Sequence, residues 1–391
     1  MEKIILIRYG EISLKGLNKS FFVDTLIRNI KDSLKYLEYK KMEKIQGRFV
    51  LRVEEKDIDR ACKSLLRIFG IASISVATRV ESDMETIKST AKILVKDELD
   101  LSEPKTFKVN ARRGDKKFPL TSPQINGELG GFILGEFPEL DVDVHNPDMT
   151  LYLEVREKTY MYTSIMQGKG GLPVGTGGKA ALLISGGIDS PVAGYMIAKR
   201  GVNLIAVHFH SYPYTSERAR DKVIRLMEIV ARYSGRIKLY IVPFTDLQLA
   251  IGEHCNERYS TLIMRRYMMK IATEIAKRNK AMALITGESV GQVASQTLES
   301  LMVTDSATDL PVFRPVIGMD KNEIIAIAEE IETFETSILP YEDCCTIFVP
   351  KHPQTKPKLE NVIREESFVE NANELMNKAI DETEMLEIFG K

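Results

Sequence analysis

Ser185-Gly186-Gly187-Ile188-Asp189-Ser190 packs two hydroxyls, two glycines and a carboxylate into six consecutive residues. An apolar run, 180–184, precedes them and reads as a buried parallel strand. Pro191 follows where the first turn of a helix accepts it, and Val192, Ala193, Met196 and Ile197 supply that helix's apolar face. The six residues are therefore a strand-to-helix turn. Its glycines let the backbone close on a ligand, and the amides that open the helix face an anion. Phosphate handling is the chemistry that suits such a turn. A Walker A loop would need G-x-x-x-x-G-K-[ST]. Gly177-Gly178-Lys179-Ala180 lacks the final hydroxyl, and residue 173 is proline. A hydrolase nucleophile elbow would need glycine two residues before Ser185, where Leu183 stands.

The elements that position this turn are strands alternating with helices. Strands are expected at 202–209, 238–242 and 281–286, with helices at 218–233 and 261–280. That alternation predicts an α/β, doubly wound parallel sheet from residue 179 onwards. Ligands in such sheets sit beyond the carboxyl ends of the strands. Ser185, His208-Phe209 and Gly287 occupy those ends and should converge. The turn itself resembles the SGGxDS pyrophosphate (PP) loop of ATP pyrophosphatases, which split ATP between its α and β phosphates and adenylate an acceptor.

Upstream, a strand (3–8), a helix (apolar positions 23, 26, 27, 30, 34 and 37), a hairpin split by Gly47, a helix (58–68) and a strand (72–80) follow in the order βαββαβ. This is the ferredoxin-like pattern, which hosts many functions. A helix (82–98), a basic strand (106–113), a helix (122–137) and two strands (151–155 and 160–165) come next. Between Lys105 and Lys117 lie six basic residues and one acid, Asp115. Such a run is ordinarily a solvated face. Residues 61–165, however, resemble the THUMP domain, an RNA-binding module of tRNA-modifying enzymes. That resemblance makes Lys108, Arg112, Arg113, Lys116 and Lys117 phosphate contacts. Few aromatics interleave with them, which favours shape and backbone recognition of folded RNA over base stacking. The expected organisation is a ferredoxin-like domain over 1–60, its last strand reaching about 80, then THUMP over 61–165. A glycine-rich linker over 166–178 and a PP-loop domain over 179–391 complete it.

The 391 residues suffice for several cores, and 54 Lys+Arg against 55 Asp+Glu give no overall charge that would announce nucleic acid. No apolar run reaches membrane length and no signal peptide opens the chain, so no membrane partner and a cytoplasmic setting are expected. Cys62, Cys255, Cys344 and Cys345 form neither a disulfide framework nor a CxxC metal pair. A reducing compartment fits them.

Taken in order, the ferredoxin-like, THUMP-like and SGGIDS segments resemble the tRNA 4-thiouridine synthetase (ThiI) family over nearly the whole chain. The resemblance implies a sulfurtransferase that adenylates uridine at tRNA position eight and replaces its oxygen with sulfur. The sulfur comes as a persulfide from a cysteine desulfurase. ATP and Mg²⁺ are implied, as is a homodimer. So is a second role in thiamine synthesis, by thiolating a ThiS-like carrier protein. Asp189 matches the family's loop aspartate, which can hold Mg²⁺ against pyrophosphate. Lys321 matches a lysine linked to adenylation, where a point charge suits the developing pyrophosphate. Leu183, Ile184, Ser185, Gly186, Gly187, Ser190, His208, Phe209, Arg265, Gly287 and Gln296 match nucleotide contacts. His208 reads equally as a satisfied strand-end histidine.

Cys344, in Tyr341-Glu342-Asp343-Cys344-Cys345-Thr346, matches the family's sulfur-transfer cysteine. Its acidic neighbours would raise the thiol pKa unless Lys351, His352 or the nucleotide site offsets them. Longer members end in a rhodanese domain whose cysteine receives the persulfide. Here 359–380 reads as amphipathic helices and no cysteine follows Cys345, as in a short form. Cys344 then accepts the persulfide directly, with Cys345 or Cys255 as the resolving thiol. Cys62 reads as a buried helix-face thiol. Two other readings use the same residues: a PP-loop thiolase with a different product, and an RNA-binding module whose nucleotide site regulates binding. Pyrophosphate release that depends on tRNA separates the second from an enzyme.

Overall fold

The computed structural model describes residues 2–39, 41–45, 47–100, 102–341 and 352–390. These form two compact units: residues 1–19 with 30–170, and residues 20–29 with 171–391.

The first unit opens with β1 (Glu2–Tyr9), α1 (Lys19–Ser33), β2 (Lys41–Ile45), β3 (Arg48–Arg52), α2 (Ile58–Leu65) and β4 (Ile71–Glu81). Residues Ser20–Asn29 of α1 group with the second unit. α3 (Met84–Glu98), β5 (Lys105–Arg113), α4 (Ser122–Glu136), β6 (Leu140–Val142), β7 (Met149–Val155), β8 (Lys158–Tyr162) and β9 (Met166–Gln167) follow. The strands make one sheet in the order β2-β3-β1-β4-β8-β7-β5-β6, with β9 also on β4. Its first four positions are the ferredoxin-like arrangement that the pattern predicts. β1 is central there, so Ile4 to Ile7 are buried on both faces, and the strand reads as an unbroken apolar run.

The eleven-residue β4 has a second edge, and it pairs antiparallel with β8 from Thr78 to Glu81. The THUMP strands therefore extend the ferredoxin-like sheet rather than starting a new one. A long strand with an unpaired edge exposes a row of amides and carbonyls, and β8 satisfies them. Residues 166–178, expected as a linker, are hydrogen-bonded throughout. Gly168 and Gly170 donate to Ala72 and Ile71, whereas Leu172, Gly175 and Gly177 donate to Lys199 and Gly201.

The second unit contains β10 (Lys179–Leu183), α5 (Asp189–Ala198), β11 (Asn203–His210), α6 (Glu217–Ser234) and β12 (Ile237–Pro243). α7 (Thr245–His254), α8 (Glu257–Arg278), β13 (Leu284–Ile285), α9 (Leu298–Asp305) and β14 (Val312–Phe313) come next. α10 (Lys321–Glu330), α11 (Phe334–Ser337), α12 (Leu359–Glu366), α13 (Ala372–Asp381) and β15 (Glu384–Ile388) complete it. The sheet order is β14-β13-β10-β11-β12-β15. Every pair is parallel except β12 with β15. α8 is buried along much of its circumference, with Ile263, Tyr267, Ile271 and Ile275 in the core under the sheet. From β10 the chain runs outwards to β11 and β12, then crosses back to β13 on the other side of β10. The carboxyl ends of β10 and β13 thus flank the switch point at which doubly wound sheets bind ligands. Among the described residues, no helix is long and apolar enough to cross a membrane.

Candidate active site

The turn after β10 is closed by its own serines. Ser185 N donates to Ser190 Oγ at 3.0 Å, the two hydroxyl oxygens lie 3.0 Å apart, and Gly187 N donates to Ser185 Oγ at 3.3 Å. α5 then begins at Asp189 with no side chain capping its first turn. Its opening amides carry the partial positive charge of a helix start.

Across the switch point, the loop after β13 comes so close that a Cβ on Gly287 would lie 2.6 Å from Ser190 N and 2.7 Å from the Asp189 carbonyl carbon. Only glycine fits there. The same loop sends Gln292 Nε2 to Asp189 Oδ2 at 2.9 Å. Lys321 Nζ donates to Asp189 Oδ1 at 2.7 Å. Lys321 is the first residue of α10, fixed by a capping box in which Asp320 accepts from Asn322 N and Glu323 N. Both oxygens of the loop carboxylate are thus addressed by donors from separate elements.

These elements enclose a cavity of about 550 Å³. Leu183, Ile184, Ser185, Asp189, Ser190, His208, Phe209, Arg265, Gly287 and Gln296 all line it, so the structure brings these sequence-predicted nucleotide contacts together. Gly186 and Gly187 form the turn itself, and Lys321 reaches the site through Asp189. Leu183, Phe209, Leu262, Met268 and Met269 give the lining apolar surface beside its polar groups. Phe209 is braced edge-on by Phe244 at 5.2 Å. His208 Nδ1 lies 3.2 Å from the Ile184 carbonyl. A carbonyl can only accept, so Nδ1 carries the proton and the ring braces the end of β10.

Sequence reasoning missed four residues of this site. Gln292 is one, and Arg258, two turns from Arg265 on the same face of α8, is another. Glu288 and Arg314 are the others: Glu288 is buried and accepts from Thr286 Oγ1 at 2.7 Å and from Arg314 Nε at 2.7 Å, and it pairs with Arg265. Gln292 meets Asp189, and Glu288 meets Arg265 and Arg314, across more than twenty residues of sequence, so no local spacing signals these pairs.

Cys344, Cys345 and Lys351 lie outside the described residues. Cys255 does not fit the role of resolving thiol. It is buried, its Sγ donates to the Glu365 carbonyl, and burial with Glu365 and Glu366 nearby pushes its pKa up to about 11. Burial, with Asp59 adding, likewise pushes the Cys62 thiol up to about 11.

The basic strand β5 alternates. Phe107, Val109 and Ala111 enter the core, so Lys108 and Arg112 share the opposite face and Arg113 points away from them. Lys108 Nζ donates to the Val144 carbonyl at 2.9 Å and Arg113 Nη1 to Phe118 O at 3.3 Å. Arg112, Lys116 and Lys117 are exposed. Arg112 stands in register with Glu154 of β7, a buried carboxylate paired with Arg8 and Arg48 and accepting from Tyr162 OH at 3.1 Å. Burial pulls Arg48 down to about 10, with the charges of Arg156, Arg8 and Arg112 adding to the effect. That face therefore carries four arginines around one carboxylate, three of which the basic run did not reveal.

The family model described as thiamine biosynthesis protein (ThiI) matches residues 175–371. The ThiI ferredoxin-like domain matches 4–75 and the THUMP domain 81–164. The chain is 57% identical over 390 residues to a probable tRNA sulfurtransferase of Acetivibrio thermocellus, covering 99% of each chain. It is 52% identical to one of Caldanaerobacter subterraneus subsp. tengcongensis, covering 96% of this chain and 99% of that one. A 4-thiouridine synthetase solved with RNA and bound ATP matches with a TM-score of 0.92 at 42% identity, over 99% of this chain and 100% of that one. A Pyrococcus horikoshii Ot3 structure matches at 0.68 and 26%, over 84% of this chain and 99% of its own. Whole-length identity of this order, with the three domain models in the expected sequence, shows that the chain belongs to the ThiI family of tRNA sulfurtransferases.

Proposed function

We propose that the chain is an ATP-dependent tRNA sulfurtransferase that converts uridine at position eight to 4-thiouridine. The observation that carries this reading is the convergence of the Ser185–Ser190 turn, Asp189 and Lys321 on one cavity at the switch point. It occurs in a chain 42% identical to a 4-thiouridine synthetase solved with RNA and ATP. The apolar part of the lining suits a base, and the helix start and Arg265 suit a polyphosphate. Mg²⁺ is usually held by one or two carboxylates together with substrate phosphates. Asp189 fits that role, because Glu288, the other carboxylate on the lining, is already occupied by two arginines. The ion would neutralise polyphosphate charge.

The chemistry has two stages. Uridine O4 attacks the α-phosphorus, the bond to the bridging oxygen breaks, pyrophosphate leaves and the N3 proton passes to solvent. Lys321 lies where negative charge gathers on the departing group. A sulfur nucleophile then attacks C4 and AMP leaves. In our reading, a persulfide on Cys344, loaded by a cysteine desulfurase, supplies the terminal sulfur. A second thiol, Cys345, cleaves the sulfur–sulfur bond and leaves a disulfide that an external thiol reopens. The family's description as a thiamine biosynthesis protein favours a second acceptor, the carboxyl end of a ThiS-like carrier, activated by the same adenylation.

The test is 4-thiouridine formation from protein, ATP, Mg²⁺, tRNA and a cysteine desulfurase with cysteine. Cys344→Ser should abolish the product while pyrophosphate release persists, and high free sulfide should restore it by attacking the adenylated base. Full yield from Cys344→Ser with the desulfurase as sole sulfur source would mean that another group carries the sulfur.

A further inference from the structure

We propose that Glu288 is the positioning residue of the nucleotide cavity: its buried carboxylate aims Arg265 and anchors the loop that carries Gln292 to Asp189. The proposal rests on reading the cavity as an ATP site.

Glu288 is only 4% exposed. A carboxylate there is costly unless it is paired and hydrogen-bonded. Three donors meet it: Thr286 Oγ1, Arg314 Nε and the Arg265 guanidinium. Arg314 also pairs with Asp305 of α9, its Nη1 donating at 3.1 Å. The result is a neutral row of alternating charge: Arg265, Glu288, Arg314 and Asp305. Arg265 lines the cavity and is held at both ends of one loop. Glu288 grips it near the loop's start, and Ser295 near its end, through the carbonyl at 3.2 Å and the hydroxyl at 3.0 Å. Gln292, which reaches Asp189, lies between those two anchors. Ser289 Oγ ties the same loop to the Met319 carbonyl, two residues before Lys321. Glu288 therefore touches no reacting atom in this reading. It acts through Arg265 and through the loop, and its charge decides where the Arg265 guanidinium sits.

The test measures ATP binding to the full chain by calorimetry. Glu288→Gln keeps the volume but removes the charge, and it should raise the Kd for ATP by about ten-fold or more, the size expected for hydrogen bonds to a charged group. In an Arg265→Gln background the same change should add less than about threefold, because residues acting as one unit are not additive. The Kd for tRNA should not change in either variant. Unaltered ATP affinity in Glu288→Gln, or a penalty of equal size in both backgrounds, would overturn the proposal. If Glu288→Gln fails to fold, Glu288→Asp decides the question. It keeps the charge but withdraws the carboxylate by one methylene, so the Kd for ATP should still rise, and a wild-type Kd would overturn the proposal. Wild-type protein that bound no ATP at all would sink the reading of the cavity, not the role of Glu288 within it.

Discussion

Asp189 is where the chemistry is most concentrated. Its oxygens accept separately from Lys321 and Gln292, so an amide in its place would turn one acceptor into a donor facing a donor. Asp189→Asn should fold, because the residue opens a helix and the serine contacts of the turn do not involve it. We expect tRNA-dependent pyrophosphate release to fall by about a hundredfold or more, as when a preorganised charge contact is lost. Normal release from a folded variant would remove Asp189 from the mechanism. The described cysteines behave in the opposite way, as core groups with raised pKa values. Each stays neutral in the fold while its unfolded counterpart ionises at the ordinary thiol value of 9.0. Their contribution to stability is thus complete below about pH 9 and is lost as pH rises towards about 11. Denaturant midpoints measured across that range should fall, and Cys62→Ala with Cys255→Ala should flatten the fall. An unchanged slope would mean that these thiols do not contribute.

The elements were legible in the sequence wherever a local pattern sufficed. The Ser185–Ser190 turn, the buried strands beside it and the amphipathic α6 each carry their own signal in spacing and in turn residues. β15 does not. Glu384-Met385-Leu386-Glu387-Ile388 is a mostly exposed edge strand, and its pairing with β12 is a tertiary choice. Gln292 was hidden for the same reason, because its meaning depends on Asp189, which only the crossover from β10 to β13 brings near. Gly287 tests that crossover directly. A Cβ there meets backbone atoms of α5, which cannot yield as a side-chain tip would. Gly287→Ala should lose about 1–3 kcal/mol of stability by overpacking and weaken ATP binding as the loop is forced off the helix start. Gly252, inside α7 with nothing within 4 Å of its Cβ, is the control. Gly252→Ala should be neutral or stabilise by up to about 1 kcal/mol on helix propensity. Urea denaturation of the pair separates the two cases, and equal effects would show that Gly287 is not a contact point.

For the molecule as a whole, charge balance conceals how RNA is held. With 54 basic and 55 acidic residues, no long-range field favours a polyanion, so affinity must come from local groups that release counterions. The basic run from Lys105 to Lys117 suggested five such groups acting together. The structure divides them by what each cation already touches. Lys108 and Arg113 already donate to backbone carbonyls, whereas Arg112, Lys116 and Lys117 present their charge to solvent. A cation that must give up a protein hydrogen bond gains less from a phosphate than an exposed one. We therefore expect Arg112→Gln, Lys116→Gln and Lys117→Gln together to lower the slope of log K against log salt for tRNA by about 2–3, near 0.7–0.9 per phosphate contact. Lys108→Gln with Arg113→Gln should lower it by less than about 1, on the same counting. ATP affinity should be unchanged in both, since the cavity lies wholly within the second unit. The measurement is tRNA binding across a salt series. Equal slopes for wild type and the triple variant would return the run to a solvated face. A larger drop for the pair than for the triple variant would show that the carbonyl contacts are given up when RNA binds.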